Sequence, residues 1–100
     1  MQIQINTDKH VQRDASVVRH VEQTLASALG RFGAQITRVE VHLSDENGER
    51  RGGNDRVCTV EARPGGRSPV AVTDKADTLA AAISGAARKL QHVLDSTLAK

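Results

Sequence analysis

The sequence predicts an α+β protein, a two-layer β-α-β-β-β-α sandwich with both helices on one face of a four-stranded sheet. Four short runs alternate apolar and polar residues, the period of a strand with one buried face. Two longer runs carry apolar residues at helical spacing. With 100 residues, the chain has the length of one domain, and we expect residues 1–100 to form it.

The first strand and the first helix are predicted near the N-terminus. Gln2 to Asn6 alternates in the manner of a strand. Asp14 precedes an amphipathic run and is a good N-cap, because its carboxylate accepts from free backbone N–H groups. Gly30 is predicted to end this helix in the left-handed conformation, and Gly33 offers a second stop. Phe32 is predicted to pack beneath the helix end. The apolar stripe of the helix comprises Val18, Val21, Leu25 and Leu29.

Three further strands are predicted to follow. The central one is Ile36 to Leu43, in which Val39, Val41 and Leu43 alternate with polar residues. Ser44 to Arg56 is polar and rich in glycine, which predicts a long hairpin loop. Arg56 to Arg63 forms the third strand. Pro69 to Val72 forms the fourth, and its leading proline favours a sheet edge.

The second helix is predicted to begin at Thr73 or Asp74 and to run almost to Lys100. Because a β-α-β unit has a right-handed crossover, the first two strands should be parallel. The later strands should be antiparallel, since short turns join them. The apolar faces place both helices on one side of the sheet. The open side is then expected to carry Gln2, Gln4, Arg38, His42, Thr59 and Arg63.

Several classes of function lack support in the sequence. Phe32 is the only aromatic residue, which disfavours binding by base stacking. The four histidines never pair at helical metal-binding spacing, and Cys58 is alone, so we expect no metal site and no cofactor. Cys58 alternates with Val60 on the apolar face of the strand, which predicts that it is a small buried hydrophobic residue. No catalytic constellation stands out, and the chain is expected not to be an enzyme and to have no small-molecule substrate.

The sequence also predicts a cytoplasmic protein with no membrane partner. The N-terminus has no apolar core of signal-peptide length, and no run approaches the roughly 18 apolar residues of a membrane span. The chain has 14 Lys plus Arg against 12 Asp plus Glu. Many of the basic residues fall on or near the helices, a pattern that suits structured RNA, which is read through phosphates and groove shape. These residues are Lys9, Arg13, Arg19, Arg31, Lys75, Arg88 and Lys89.

Four motifs in order resemble the short ribosome hibernation promoting factors, also called ribosome-associated inhibitor or sigma-54 modulation proteins. They are MQIQI at the start, the Asp14-capped helix ending in Leu29-Gly30-Arg31-Phe32, the strand ITRVEVHL, and TLAAAISGAARKLQ in the last helix. Together they span nearly the whole chain. The resemblance implies a fold similar to the double-stranded-RNA-binding domain. It also implies binding to small-subunit rRNA in the channel used by mRNA and tRNA, which inhibits translation under stress or in stationary phase.

The resemblance places the family's basic positions on particular residues of this chain. Arg31 takes the place of the lysine in the family's L-x-K-Y, and Lys89 that of the lysine in its K-L motif. Arg88 and His92 flank Lys89 on the same helix, and Lys75 lies near its predicted start. These five residues are the predicted RNA-binding set.

The chain departs from the family pattern at several positions. Leu79 stands where a tyrosine is usual, Ala28 where a lysine is common, and Asp95 falls where the family continues with basic residues. Because each phosphate contact adds to affinity, fewer basic residues predict weaker anchoring.

An alternative prediction is a protein-interaction module. The edge strand beginning at Pro69, or the open sheet face, would engage a protein or a second copy. The isolated chain is expected to be a monomer or a weak dimer.

Overall fold

The computed structural model describes residues 1–46 and 55–98. Its elements follow the predicted β-α-β-β-β-α order, which is confirmed. The strands are β1 (Gln2–Thr7), β2 (Ile36–Asp45), β3 (Arg56–Pro64) and β4 (Val70–Ala76), and the helices are α1 (Ala15–Leu29) and α2 (Leu79–Leu98), with a 3-10 turn at Gly30–Phe32. Most of the predicted hairpin loop, including Arg50 and Arg51, lies outside the described residues.

The four strands form one sheet in the order β1-β2-β3-β4. β1 and β2 are parallel, with Ile3 opposite Val39. The β2–β3 and β3–β4 pairs are antiparallel, with Val39 opposite Ala62 and Val60 opposite Val72. The predicted strand directions are therefore confirmed, and β4 is an edge strand, as the proline before it suggested.

The core lies on one face of the sheet, beneath both helices. Val39, Val41 and Leu43 of β2 are at most 1% exposed, and they belong to the same apolar cluster as residues from α1 and α2. The polar residues between them point to the other, open face. The two-layer arrangement with both helices on one side is thus confirmed.

Asp14 caps α1 as predicted. Its Oδ1 accepts a hydrogen bond from the backbone N–H of Val17 at 3.0 Å, and a second from the Ser16 hydroxyl. These bonds hold the pKa of the Asp14 carboxyl below its usual 3.8. Because the folded-state pKa lies below 3.8, the cap contributes its full stability to the helix at pH values above 3.8. This contribution is lost as the pH falls through the folded-state pKa.

The end of α1 differs from the prediction at Gly30. This glycine is right-handed, at φ −53° and ψ −42°, and the chain continues into the 3-10 turn instead of reversing. The reason is packing: the continued turn carries Phe32 into the core, where it is only 3% exposed. The burial of Phe32 beneath the helix end is confirmed. Within the described ranges, the glycine with positive φ is Gly66, at 71°.

The boundary between β4 and α2 was also predicted wrongly. Thr73 and Asp74 do not cap the helix, because β4 continues through them to Ala76, which lies opposite Arg56 of β3. The long β3 strand offers a backbone partner for all of β4, and this pairing outweighs the capping preference of a single side chain. Thr78 is the cap instead: its Oγ1 accepts from the N–H of Ala81 at 3.1 Å.

Candidate nucleic-acid interface

The outer surface of α2 carries three of the predicted RNA-binding residues. Leu90 and Leu94 are fully buried against the sheet. Residues two positions away on a helix point to the opposite side, so Arg88 and His92 are exposed, as is Lys89 beside them. The 20 residues of α2 therefore bring Arg88, Lys89 and His92 together on the solvent side.

Lys89 is already bound within the molecule. Its Nζ lies 2.9 Å from Oδ1 of Asp74 and donates to the carbonyl oxygen of Thr73 at 2.8 Å. Both partners belong to β4. The Lys89 side chain thus ties α2 to the edge of the sheet, and Asp74 neutralises most of the charge that a phosphate would meet.

A glycine makes room for this contact. A Cβ atom on Gly85, one turn before Lys89, would overlap the carboxylate of Asp74. Only glycine lets the carboxylate approach the helix backbone this closely. Gly85 and Lys89 together fix Asp74 between β4 and α2.

Arg31 is also engaged. It forms an ion pair with Asp95 near the end of α2, and its Cζ lies 4.9 Å from the centroid of the Phe32 ring. The side chain remains 60% exposed, so it stays accessible to a ligand. Asp95, one of the departures from the family pattern, would therefore compete with a phosphate for the Arg31 side chain.

Lys75 lies apart from the other four residues. It was predicted at the start of the second helix, but it belongs to β4 and lies opposite Val57. This register places it on the open face of the sheet, where its Nζ is 3.3 Å from Oε1 of Glu46. The misplaced helix start accounts for the error.

Arg88 is the exposed cation of α2 that has no ion-pair partner among the described residues. It stands at the crest of the helix between two surface grooves. The groove on the β4 side has a volume of about 480 Å³ and a mainly apolar lining that includes Val72 and Val93. The groove on the other side runs between α1 and α2, and we call it the interhelical groove.

The interhelical groove is a feature that reasoning from the sequence missed. Its volume is about 500 Å³, and it is lined by His20, Gln23, Thr24, Ser27, Ala28, Ser84, Ala87, Arg88 and Gln91. The sequence feature that could have indicated this groove is a row of polar residues, spaced three or four apart, beside the apolar stripe of each helix. Such residues share a side of a helix, but only the packing shows that the two polar flanks face each other.

The open face of the sheet carries charges that cancel. Arg38 pairs with Glu40 at 3.1 Å and Arg63 pairs with Glu61 at 3.1 Å. The two pairs lie side by side, since Arg38 is opposite Arg63 and Glu40 is opposite Glu61. His42 also lies 3.7 Å from Glu40. Among the described residues, the arginines of this open face are thus paired, whereas Arg88 on the helix side is not.

No group of three or more His, Cys, Asp or Glu side chains in residues 1–46 and 55–98 is placed to hold a metal ion. Cys58 is fully buried in the core, as predicted. Burial, and secondarily the charge of Asp74, raises the pKa of the Cys58 thiol from 9.0 to about 12.

Cys58 is therefore expected to be unreactive in the folded protein. The nucleophile is the thiolate, and raising the pKa from 9.0 to about 12 lowers the thiolate fraction at a pH of about 8 roughly a thousandfold. The rate of reaction with DTNB, compared between native buffer and guanidinium chloride, measures this. Equal rates in the two conditions would contradict the buried position.

The chain belongs to the sigma 54 modulation protein / S30EA ribosomal protein family, whose model matches residues 3–100. This membership makes it a protein of the ribosome-associated modulation type, and the family resemblance drawn from the motifs is confirmed. Among curated proteins, none matches the sequence significantly.

Two solved structures share the fold over nearly their whole length. The N-terminal domain of Protein Y from Thermus thermophilus superposes with a TM-score of 0.78 at 21% identity, covering 97% of this chain and 99% of that one. A ribosomal subunit interface protein from Coxiella burnetii gives a TM-score of 0.81 at 16% identity, covering 100% of both chains. At sequence identities of 21% and 16%, these comparisons establish a shared fold only.

Within the described residues, no helix is both long enough and apolar enough to cross a bilayer.

Proposed function

We propose that this chain is a non-enzymatic, cytoplasmic factor that binds rRNA of the small ribosomal subunit in the channel used by mRNA and tRNA. Occupying that channel inhibits translation under stress or in stationary phase. Residues 1–100 act as a single ribosome-associated domain, and the free chain is a monomer or a weak dimer.

The observation that carries this proposal is the unequal charge of the two faces. Arg88 and His92 project from α2 without an acidic partner among the described residues, whereas Arg38 and Arg63 on the open face are each paired with a glutamate. A phosphate gains most from a cation that no carboxylate already neutralises. The helix side is therefore the RNA-binding side, with Arg88 as its central contact, and family membership supplies the ribosome as the source of RNA.

Arg31 and Lys89 play a secondary part in this proposal. Both are exposed, and each would exchange a carboxylate, Asp95 or Asp74, for a phosphate. Lys75 lies on the other face and would contact rRNA only if the RNA wrapped around the β4 edge.

Sedimentation with purified 30S subunits tests the proposal. The protein is expected to pellet with 30S particles at about 50 mM salt and to dissociate progressively towards about 200 mM, because phosphate contacts release counterions. Cell-free translation should fall over the same protein concentrations that saturate binding. Failure to migrate with 30S or larger particles at the lower salt would overturn the proposal.

Replacing Asp95 with asparagine is expected to strengthen binding to 30S subunits. The change releases Arg31 from its ion pair and removes a negative charge from the RNA-facing side. Since an exposed ion pair contributes at most about 1 kcal/mol, the expected gain in affinity is up to about fivefold. Titration of the variant against 30S subunits measures it.

Glu61→Gln is the matched control for Asp95→Asn, because it releases Arg63 on the open face in the same way. The control is expected to leave 30S affinity nearly unchanged. An equal gain from both variants would show that only net charge matters, and would contradict binding by the helix side.

A second candidate function is a protein-interaction module at the β4 edge. The observation in its favour is the groove of about 480 Å³ beside that strand, whose mainly apolar surface is formed by Val72, Val93 and the side chains of Arg88, Lys89 and His92. A peptide adding to β4 would place apolar side chains there. This function predicts a complex that is equally stable at about 50 mM and about 200 mM salt, because backbone pairing and apolar contacts are little screened by ions, whereas dissociation over that range would exclude it.

A further inference from the structure

The interhelical groove has a volume of about 500 Å³, within the range of ligand pockets in proteins, roughly 300–1,000 Å³. It exists because the residues where the helices face each other are small. Ala28 and Ala87 lie in its lining, and their short side chains leave space between the helices. The sheet holds both helices in place beneath them, so the missing volume remains open to solvent.

The groove has the chemistry of an anion site with additional hydrogen-bonding capacity. Among the described residues, its lining contains no carboxylate, and the one permanent charge there is Arg88. This guanidinium has no ion pair within residues 1–46 and 55–98, so its planar fork is available for a phosphate. An occupant that carries a phosphate is favoured over one without a negative charge.

His20 adds a second, independent observation. Its ring lines the groove, and its Nε2 atom is buried yet has no hydrogen-bond partner among the described residues. Leaving such an atom unsatisfied costs free energy. Because Nε2 is enclosed by the protein, it would meet a ligand in the groove only after the imidazole ring turns, and a hydrogen bond to the ligand would then satisfy it.

Two amide side chains complete the lining. Gln23 belongs to α1 and Gln91 to α2, so both helices contribute one. Each amide offers a donor and an acceptor side by side, the arrangement that pairs with the edge of a nucleobase. The planar groups available to stack on a base here are the His20 imidazole and the Arg88 guanidinium, since both kinds of group stack on bases.

We propose that the interhelical groove binds a single nucleotide, with its phosphate on Arg88 and its base edge on Gln23 and Gln91. The nucleotide comes either from solution or from an unstacked position in RNA, and the RNA case rests on the proposed function. When the imidazole ring of His20 turns towards the groove, its Nε2 supplies a further hydrogen bond to the sugar or the base.

The test is an NMR titration of the ¹⁵N-labelled protein. The probes are the four nucleoside 5′-monophosphates, ribose 5-phosphate, inorganic phosphate and an unstructured hexauridylate. We expect at least one monophosphate to shift the amides around His20, Gln23, Arg88 and Gln91 saturably, with at least about tenfold higher affinity than ribose 5-phosphate. A tighter response to hexauridylate than to any monophosphate would identify RNA as the source, and the reverse order would identify a free nucleotide.

Variants separate the two halves of the site. Arg88→Gln is expected to weaken every phosphorylated probe at least about tenfold. Gln23→Ala with Gln91→Ala is expected to abolish the preference for nucleotides over ribose 5-phosphate. Arg63→Gln on the open face is the matched control and should leave all affinities unchanged.

The proposal fails if no probe shifts the amides around the groove, or if nucleotides and ribose 5-phosphate bind there with equal affinity. Sedimentation with 30S subunits distinguishes that failure from failure of the proposed function. Ribosome association without nucleotide binding in the groove removes only this inference. Nucleotide binding without ribosome association preserves the groove and removes the proposed function.

Discussion

Charge reversal at Arg88, as Arg88→Glu, is expected to weaken binding to 30S subunits by about 10- to 100-fold. Hydrogen bonds to charged groups contribute about 1.5–3 kcal/mol, and the new glutamate would also repel the phosphate. The slope of log affinity against log salt should fall by about one for the lost phosphate contact. Sedimentation titrations at several salt concentrations measure both quantities.

Arg63→Glu is the control for Arg88→Glu, since it changes the net charge equally on the opposite face of the sheet. The control is expected to change affinity little, because Arg63 is already paired with Glu61. If the two variants bind equally weakly, the helix side is not the RNA-binding side. Unfolding curves of both variants should lie within about 1 kcal/mol of the wild type, because both arginines are exposed, with the larger loss for Arg63→Glu, which breaks the pair with Glu61.

Replacing Leu90 with alanine is expected to lower the free energy of unfolding by about 2–5 kcal/mol. Leu90 is fully buried at the middle of α2, within the core shared by both helices and the sheet. Removing its side chain loses transfer free energy and leaves a cavity that the sheet cannot close. A domain of this size has only about 5–15 kcal/mol in total, so the variant should unfold at much lower urea concentration.

Ser96→Ala provides the comparison for Leu90→Ala on the same helix. Ser96 is exposed, and such substitutions usually change stability by less than about 0.5 kcal/mol. Urea unfolding followed by circular dichroism gives both values. A loss below about 1 kcal/mol for Leu90→Ala would contradict the position of this residue at the centre of the core.

The fold was predictable from the sequence because its signals are local. Alternation in Ile36 to Leu43 defined the central strand, and the spacing of Val21, Leu25 and Leu29 defined the buried stripe of α1. Element boundaries were less predictable. Asp74 has the side chain of a helix cap, but pairing of β4 with β3 keeps it in a strand. Backbone pairing between distant segments cannot be recognised from the local pattern of apolar and polar residues.

The candidate site was predictable only in part. That Arg88, Lys89 and His92 share the exposed side of one helix follows from their spacing. That Lys89 is bound to Asp74 and Thr73, and Arg31 to Asp95, does not, because these partners are distant in the chain. The unequal availability of the basic residues is therefore a result of tertiary structure.

The sequence by itself determined the family, the order of elements and the apolar face of each, because motif spacing and hydrophobic period are properties of short segments. Only the tertiary structure decided which charges remain unpaired, and that a groove opens between α1 and α2. Both depend on distances between side chains that the sheet brings together. Arg88 shows both contributions: its exposure follows from its position on the helix, and the lack of an ion-pair partner for it among residues 1–46 and 55–98 follows from the packing around it.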